Sequence, residues 1–188
     1  MNRDALAIVW DIENVTPSIN STFMKGLLEY ANTKGRVSLA CVYGDWGREG
    51  RESTARQLFE DSFQMIHIPR SQRDQSDVIL GSQVLNLISR APHIRKLLLV
   101  SGSAQLIPVL QEIREHDVET TLICDSKNAD ENLLSLADSF KDFRDLTIAP
   151  LEDDIQTDEK PTLGLDESFN LLREAILYLE NEDKNPTP

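Results

Sequence analysis

The chain is 188 residues long, with 40% hydrophobic and 27% charged residues, the composition of a folded globular protein and not of a disordered one. No apolar run approaches the roughly 20 residues of a membrane span, and no charged-then-apolar leader opens the chain, so a cytoplasmic protein is expected. The net charge of -13 is uneven: residues 1–149 carry 16 basic against 21 acidic side chains and residues 150–188 carry 3 against 11, which excludes broad phosphate binding but leaves room for a local basic groove on the first part.

The run Ala5 to Trp10 (ALAIVW) is short, apolar and closed by Asp11, as a buried strand would be. Thr16-Pro17 reads as an N-cap followed by proline at the first helical position. A helix to about Asn32 should follow, stopped by Gly35. Arg36 to Tyr43 is a second strand, ended by Gly44-Asp45-Trp46-Gly47, and Ser53 to Asp61 a helix. Phe63 to Ile68 is a third strand. Asp74 to about Ala91 is a helix, apolar on most sides through Val78, Leu80, Val84, Leu85, Leu87 and Ile88. Lys96 to Val100 is a fourth strand, Leu106 to His116 a helix, Val118 to Cys124 a fifth strand. Glu131 to Phe140 reads as helix and Leu146 to Ile148 as a short last strand. Cys41 and Cys124 lie in apolar runs and read as buried, reduced thiols.

Strands alternating with helices at this spacing predict an α/β fold, a three-layer α/β/α sandwich around a mostly parallel sheet of about five to six strands. Ligands of such sheets bind beyond the carboxyl ends of the strands. The domain occupies residues 1–149. Residues 150–163 are acidic and bounded by prolines, as a linker is, and residues 164–188 hold an amphipathic helix with Phe169, Leu172, Ile176 and Leu179 on one stripe. A lone helix of that length is marginal in water, so it should dock on the domain, on a second copy of the chain or on another partner.

Asp11 is the strongest signal of chemistry. It ends an apolar strand, and Thr16 already serves as the helix cap, so helix initiation does not explain it. A carboxylate at the mouth of a buried strand loses hydration unless a cation compensates. Asn14 lies nearby with an amide oxygen and two amide hydrogens, while Glu13 should face solvent. Asp77 reads equally as an acid in the first turn of its helix and, if strand one is central, as a second carboxylate converging on Asp11. Two carboxylates and an amide oxygen suit a hard divalent cation. Histidine and cysteine spacing for a soft metal site is absent, as are the Walker, GxGxxG and GxSxG patterns. Arg48, Arg51, Arg56, Arg70 and Arg73 are interleaved with acids. They form either a mixed solvated face or, for Arg70 and Arg73, a pair of phosphate contacts. Trp46 can stack on a nucleobase or pack under its own loop.

Taken together, Asp11-Ile-Glu-Asn14, the Val42-Tyr-Gly-Asp-Trp46 turn, Asp77 opening an apolar helix, Leu99-Val-Ser-Gly102 before a helix, and Ala137-Asp138-Ser-Phe140 resemble the NYN domain family, over about residues 5 to 148. That family is a branch of the PIN-like nucleases that includes the bacterial LabA-like proteins. The resemblance implies a metal-dependent endoribonuclease with Mg²⁺ or Mn²⁺ at the carboxyl edge of the sheet. Asp11 and Asp77 would be metal-binding acids, and Asn14 would hold the scissile phosphate or a water carried by the ion. Ser101, Gly102, Ser103 and Gln105 would line the substrate site, with single-stranded or structured RNA as the partner. The family usually places two acids where this chain has Ser103 and Gln105. Their absence weakens cation binding, with Asp125 after the fifth strand as a further candidate ligand. Two functions follow: a weakened ribonuclease, or an RNA- or protein-binding module on the same fold. A phosphatase acting on a small molecule would use the same acids. Phe169 to Ile176 resembles the first helix of the LOTUS-type winged-helix domains that often follow NYN domains.

Overall fold

The computed structural model describes residues 3–17, 22–69 and 75–147. The expected linker and C-terminal helix, Arg70, Arg73 and Asp74 lie outside the described residues. Six strands form one sheet: β1 (Ala5–Asp11), β2 (Arg36–Gly44), β3 (Gln64–His67), β4 (Ile94–Val100), β5 (Glu119–Cys124) and β6 (Ser139–Asp142). Their spatial order is β3-β2-β1-β4-β5-β6 and every pairing is parallel. The first strand is therefore central, and the order reverses beside it, where open α/β sheets place their ligands.

All seven residues of β1 are buried, and the six before Asp11 are accordingly apolar without alternation. The period of two still sorts the side chains. Ala7 and Val9 join one core with Leu80, Val84 and Ile88 of α3 (Ser76–Arg90), Leu110 and Ile113 of α4 (Ile107–Ile113) and Leu133 of α5 (Glu131–Leu136). Leu6, Ile8 and Trp10 join the other with Phe23, Leu27 and Ala31 of α1 (Phe23–Lys34) and Leu58 of α2 (Glu52–Glu60). The three-layer arrangement is thus written in one strand. Trp10 anchors the second core, its ring edge-on to Phe23 at 5.3 Å and to Phe63 at 6.3 Å between centroids.

Three local expectations are corrected. First, α1 begins at Phe23, not at Pro17. The chain after β1 instead turns on itself: the Val15 N–H donates to the Asp11 carbonyl at 3.0 Å, the Trp10 indole N–H to the Val15 carbonyl at 2.9 Å, and the Thr16 hydroxyl to the Ile12 carbonyl. The Thr16 hydroxyl thus bonds back to the turn that follows β1. Second, the helix at Glu131 stops at Leu136, short of the expected Phe140, and residues 139–142 form β6. Side-chain bonds set this edge: the Asp138 carboxylate accepts the Thr120 N–H at 2.7 Å, and the Ser139 and Thr121 hydroxyls meet at 2.9 Å. Leu146 lies in a 3-10 turn (Phe143–Leu146) and not in a strand. Third, Val78 is 65% exposed, while α3 buries Leu80, Gly81, Val84 and Ile88. Gly81 lets α4 approach closely, since a Cβ there would lie 2.6 Å from Val109 Cγ2. Cys41 and Cys124 are free and buried.

Candidate functional site

β1 delivers Asp11 to the carboxyl edge of the sheet with only 5% of its surface exposed. Its Oδ1 accepts the Glu13 N–H at 3.0 Å and the Asn14 N–H at 3.3 Å. Among the described residues no lysine or arginine pairs with it. Burial therefore raises its pKa from 3.8 to about 6; the two N–H bonds act in the opposite sense, and the charges of Asp77 and Glu13 add to the rise. Asp77, in the first turn of α3, is thus near enough to be felt electrostatically.

A cavity of about 540 Å³ opens over the ends of β1, β2 and β3, lined by Asp11, Glu13, Gly44, Asp45, Arg48 and His67 among others, and reaching α3 at Ser76. Its wall is a clasp between the turns after β1 and β2. Glu13, expected in solvent, is held instead: its side chain is 19% exposed, and Oε1 accepts Arg51 Nη2 at 2.9 Å and the Asp45 N–H at 3.1 Å. Arg51, 11% exposed, precedes α2 and lies 5.9 Å from the Trp46 ring centroid. Gly44 sits where the two turns touch; a Cβ there would be 2.5 Å from Ile12 Cγ2. Trp46 packs against its own loop: its indole N–H donates to the Ile66 carbonyl at 3.1 Å and its partly buried ring lies against the second core.

On the other side of Asp11, the Asn14 Oδ1 accepts the Gly102 N–H at 2.7 Å and ties β1 to the end of β4. Among the described residues the amide hydrogens of Asn14 have no partner and can donate. Ser101 is fully buried and its Oγ accepts the Ser103 N–H at 3.3 Å; the Ser103 Oγ in turn accepts the Gln105 N–H at 3.3 Å. This turn is self-bonded and uncharged. Asp125 is drawn into a separate cluster. It accepts Asn128 Nδ2 at 2.7 Å, the Lys127 N–H at 3.3 Å and the Arg144 guanidinium, which also reaches Asp142 at 2.7 Å. The bonds from Asn128 and Arg144 hold the Asp125 pKa below the usual carboxylate value. Asp125 does not line the cavity. Among the described residues no group of three or more His, Cys, Asp or Glu is arranged to hold a metal ion.

Sequence reasoning passed over Glu13, Asp45 and His67 as site residues. The one signal for His67 is its position at the end of a strand, the same signal that singled out Asp11. For Glu13 the deciding partner, Arg51, lies 38 residues away.

The family model for the NYN domain matches residues 5–147. A solved structure of a Vibrio parahaemolyticus protein of unknown function is similar, with a TM-score of 0.65 at 18% identity, covering 79% of this chain and 98% of that one. At that identity the likeness concerns the fold. No curated protein matches. No described helix is long and apolar enough to cross a membrane. The family match takes in every strand and helix described above, and the chain belongs to the NYN domain family of the PIN-like nuclease superfamily.

Proposed function

We propose that the chain is a metal-dependent endoribonuclease that hydrolyses RNA phosphodiesters at the carboxyl end of β1. One observation carries the reading: a carboxylate with 5% exposure at the end of the central strand, paired with no lysine or arginine among the described residues. Such a group is destabilised until a cation arrives. The donor set fits a hard ion that asks for only one or two protein carboxylates, Mg²⁺ or Mn²⁺ held by Asp11 and Asp77. A bound ion of that kind supplies a Lewis acid for the phosphoryl oxygen and lowers the pKa of the attacking water. The chain's own residues do the rest. The N–H bonds from Glu13 and Asn14 orient the Asp11 carboxylate. The Asn14 amide hydrogens donate to the scissile phosphate, and Arg48, Arg70 and Arg73 bind the backbone of the strand.

The uncharged Ser103 and Gln105 and the engaged Asp125 favour a second reading, an RNA-binding module without hydrolysis. Labelled RNA incubated with Mn²⁺ separates the two. Cleavage by the parent that Asp11→Asn abolishes supports the nuclease. Binding without cleavage, with activity gained on Ser103→Asp plus Gln105→Asp, supports the module. The Ser103 Oγ caps the turn before α4, a position that aspartate also fills well, so the double replacement should fold. A parent that neither binds nor cleaves RNA rejects both.

A further inference from the structure

We propose that His67 is a substrate-binding residue of this site, donating from its Nε2–H to a phosphate oxygen of the RNA strand on the β3 side of Asp11. The inference rests on the nuclease reading and deepens it, naming a contact and the side of the edge on which the strand lies.

His67 ends β3 and lines the same cavity as Asp11, with its side chain 49% exposed. The backbone N–H of Trp46 points at its Nδ1 from 3.1 Å. A donor aimed at a ring nitrogen requires a bare lone pair there, so the ring carries its hydrogen on Nε2. The turn that sets this tautomer is itself held from three sides. The Trp46 indole bonds the Ile66 carbonyl at 3.1 Å, the Asp45 N–H bonds Glu13 at 3.1 Å, and the Gly47 N–H bonds Asp45 Oδ1 at 3.2 Å. Asp45 Oδ1 lies 3.9 Å from Nδ1, beyond hydrogen-bond reach. The bond at Nδ1 thus leaves Nε2 as the nitrogen of the ring that donates toward the cavity.

The asymmetry of the sheet edge says which way the strand runs. Toward β5, Asp125 and Asp142 are locked to Arg144, and the 101–105 turn satisfies its own polar groups. Toward β3 the edge opens into the cavity. Acids are plentiful there, and Glu13 is already paired with Arg51. Of the described side chains that line that space, Arg48, Ser76 and His67 can donate to a phosphodiester, and of these His67 alone has its donor direction set by a backbone bond.

The test measures binding of a labelled single-stranded RNA to the full chain, with divalent ions chelated so that nothing is cleaved, alongside Mn²⁺-dependent cleavage. His67→Ala should bind roughly tenfold more weakly, the loss expected for one hydrogen bond to a charged oxygen. His67→Gln, which keeps an N–H donor at about the reach of Nε2, should bind close to the parent. Nitrogen NMR of the parent should show His67 with its hydrogen on Nε2. Parent-like binding by His67→Ala, equal losses in both variants, or an Nδ1–H tautomer would overturn the inference. In those cases the nuclease reading is still judged by the loss of cleavage in Asp11→Asn. A parent that neither binds the RNA nor cleaves it with Mn²⁺ overturns both; one that cleaves with Mn²⁺ but does not bind in chelator overturns the inference about His67 alone.

Discussion

Asp11 works against the stability of the metal-free protein at neutral pH. Its folded pKa is about 6 against 3.8 for the free group, so the folded chain holds its proton more tightly than the unfolded chain. The stabilisation from that proton is full below about pH 4 and is lost as pH rises through about 6, a swing of roughly 3 kcal/mol. Two outcomes follow for thermal melts in a chelator. The contribution of Asp11 should fall between pH 4 and pH 6, and Asp11→Asn should melt higher than the parent at pH 7. Added Mn²⁺ should then raise the melting temperature of the parent and leave Asp11→Asn unmoved, because only the parent offers the folded state a ligand. An Asp11→Asn variant that melts lower than the parent in chelator would remove the unpaired-carboxylate argument. Asp11 was readable in the sequence because a charge directly after six apolar residues has few structural explanations. Glu13 was not, because nothing local distinguishes a solvated glutamate from one clasped by Arg51.

Among the elements, the strands were the more legible. Strands of a parallel sheet are runs of limited length rich in apolar residues, and five of them, β1 to β5, stand out in this chain. The helix starts and the last strand, β6, were not. Thr16-Pro17 has the residue types of a helix start, yet its hydroxyl serves the Ile12 carbonyl. β6 carries a single apolar residue, Phe140, which is 53% exposed, and its pairing depends on Asp138 and Ser139 meeting β5. At the junction of elements, Gly44 joins the turns of β1 and β2 with no room for a side chain. Ile12 is 2% exposed and cannot swing clear. Gly44→Ala should cost about 1–3 kcal/mol in urea unfolding, and should also slow RNA cleavage by parting the Glu13–Arg51 clasp from Asp11. An unchanged denaturation midpoint would show that the contact relaxes freely.

At the scale of the whole molecule, charge is distributed against the proposed substrate. Residues 150–188 contribute a balance of -8 out of -13. Acidic chain within reach of the domain lowers the local potential for a polyanion, an effect that salt screens. Removing residues 150–188 should tighten RNA binding at low salt, with the gain shrinking as salt rises. Equal affinity at low ionic strength would mean that the tail has no electrostatic hold on the substrate.

The sequence by itself determined the layered α/β class, the family and the carboxylate at the end of the first strand. Each of those depends on the local order of apolar and polar residues, which the chain states directly. Tertiary structure decided which acids are free and which are spent. Arg51 takes Glu13, Arg144 takes Asp125, and the Trp46 turn orients His67. Those pairings join residues 19 to 38 positions apart, and a carboxylate's chemistry follows from the partner that packing brings to it, not from its neighbours along the chain.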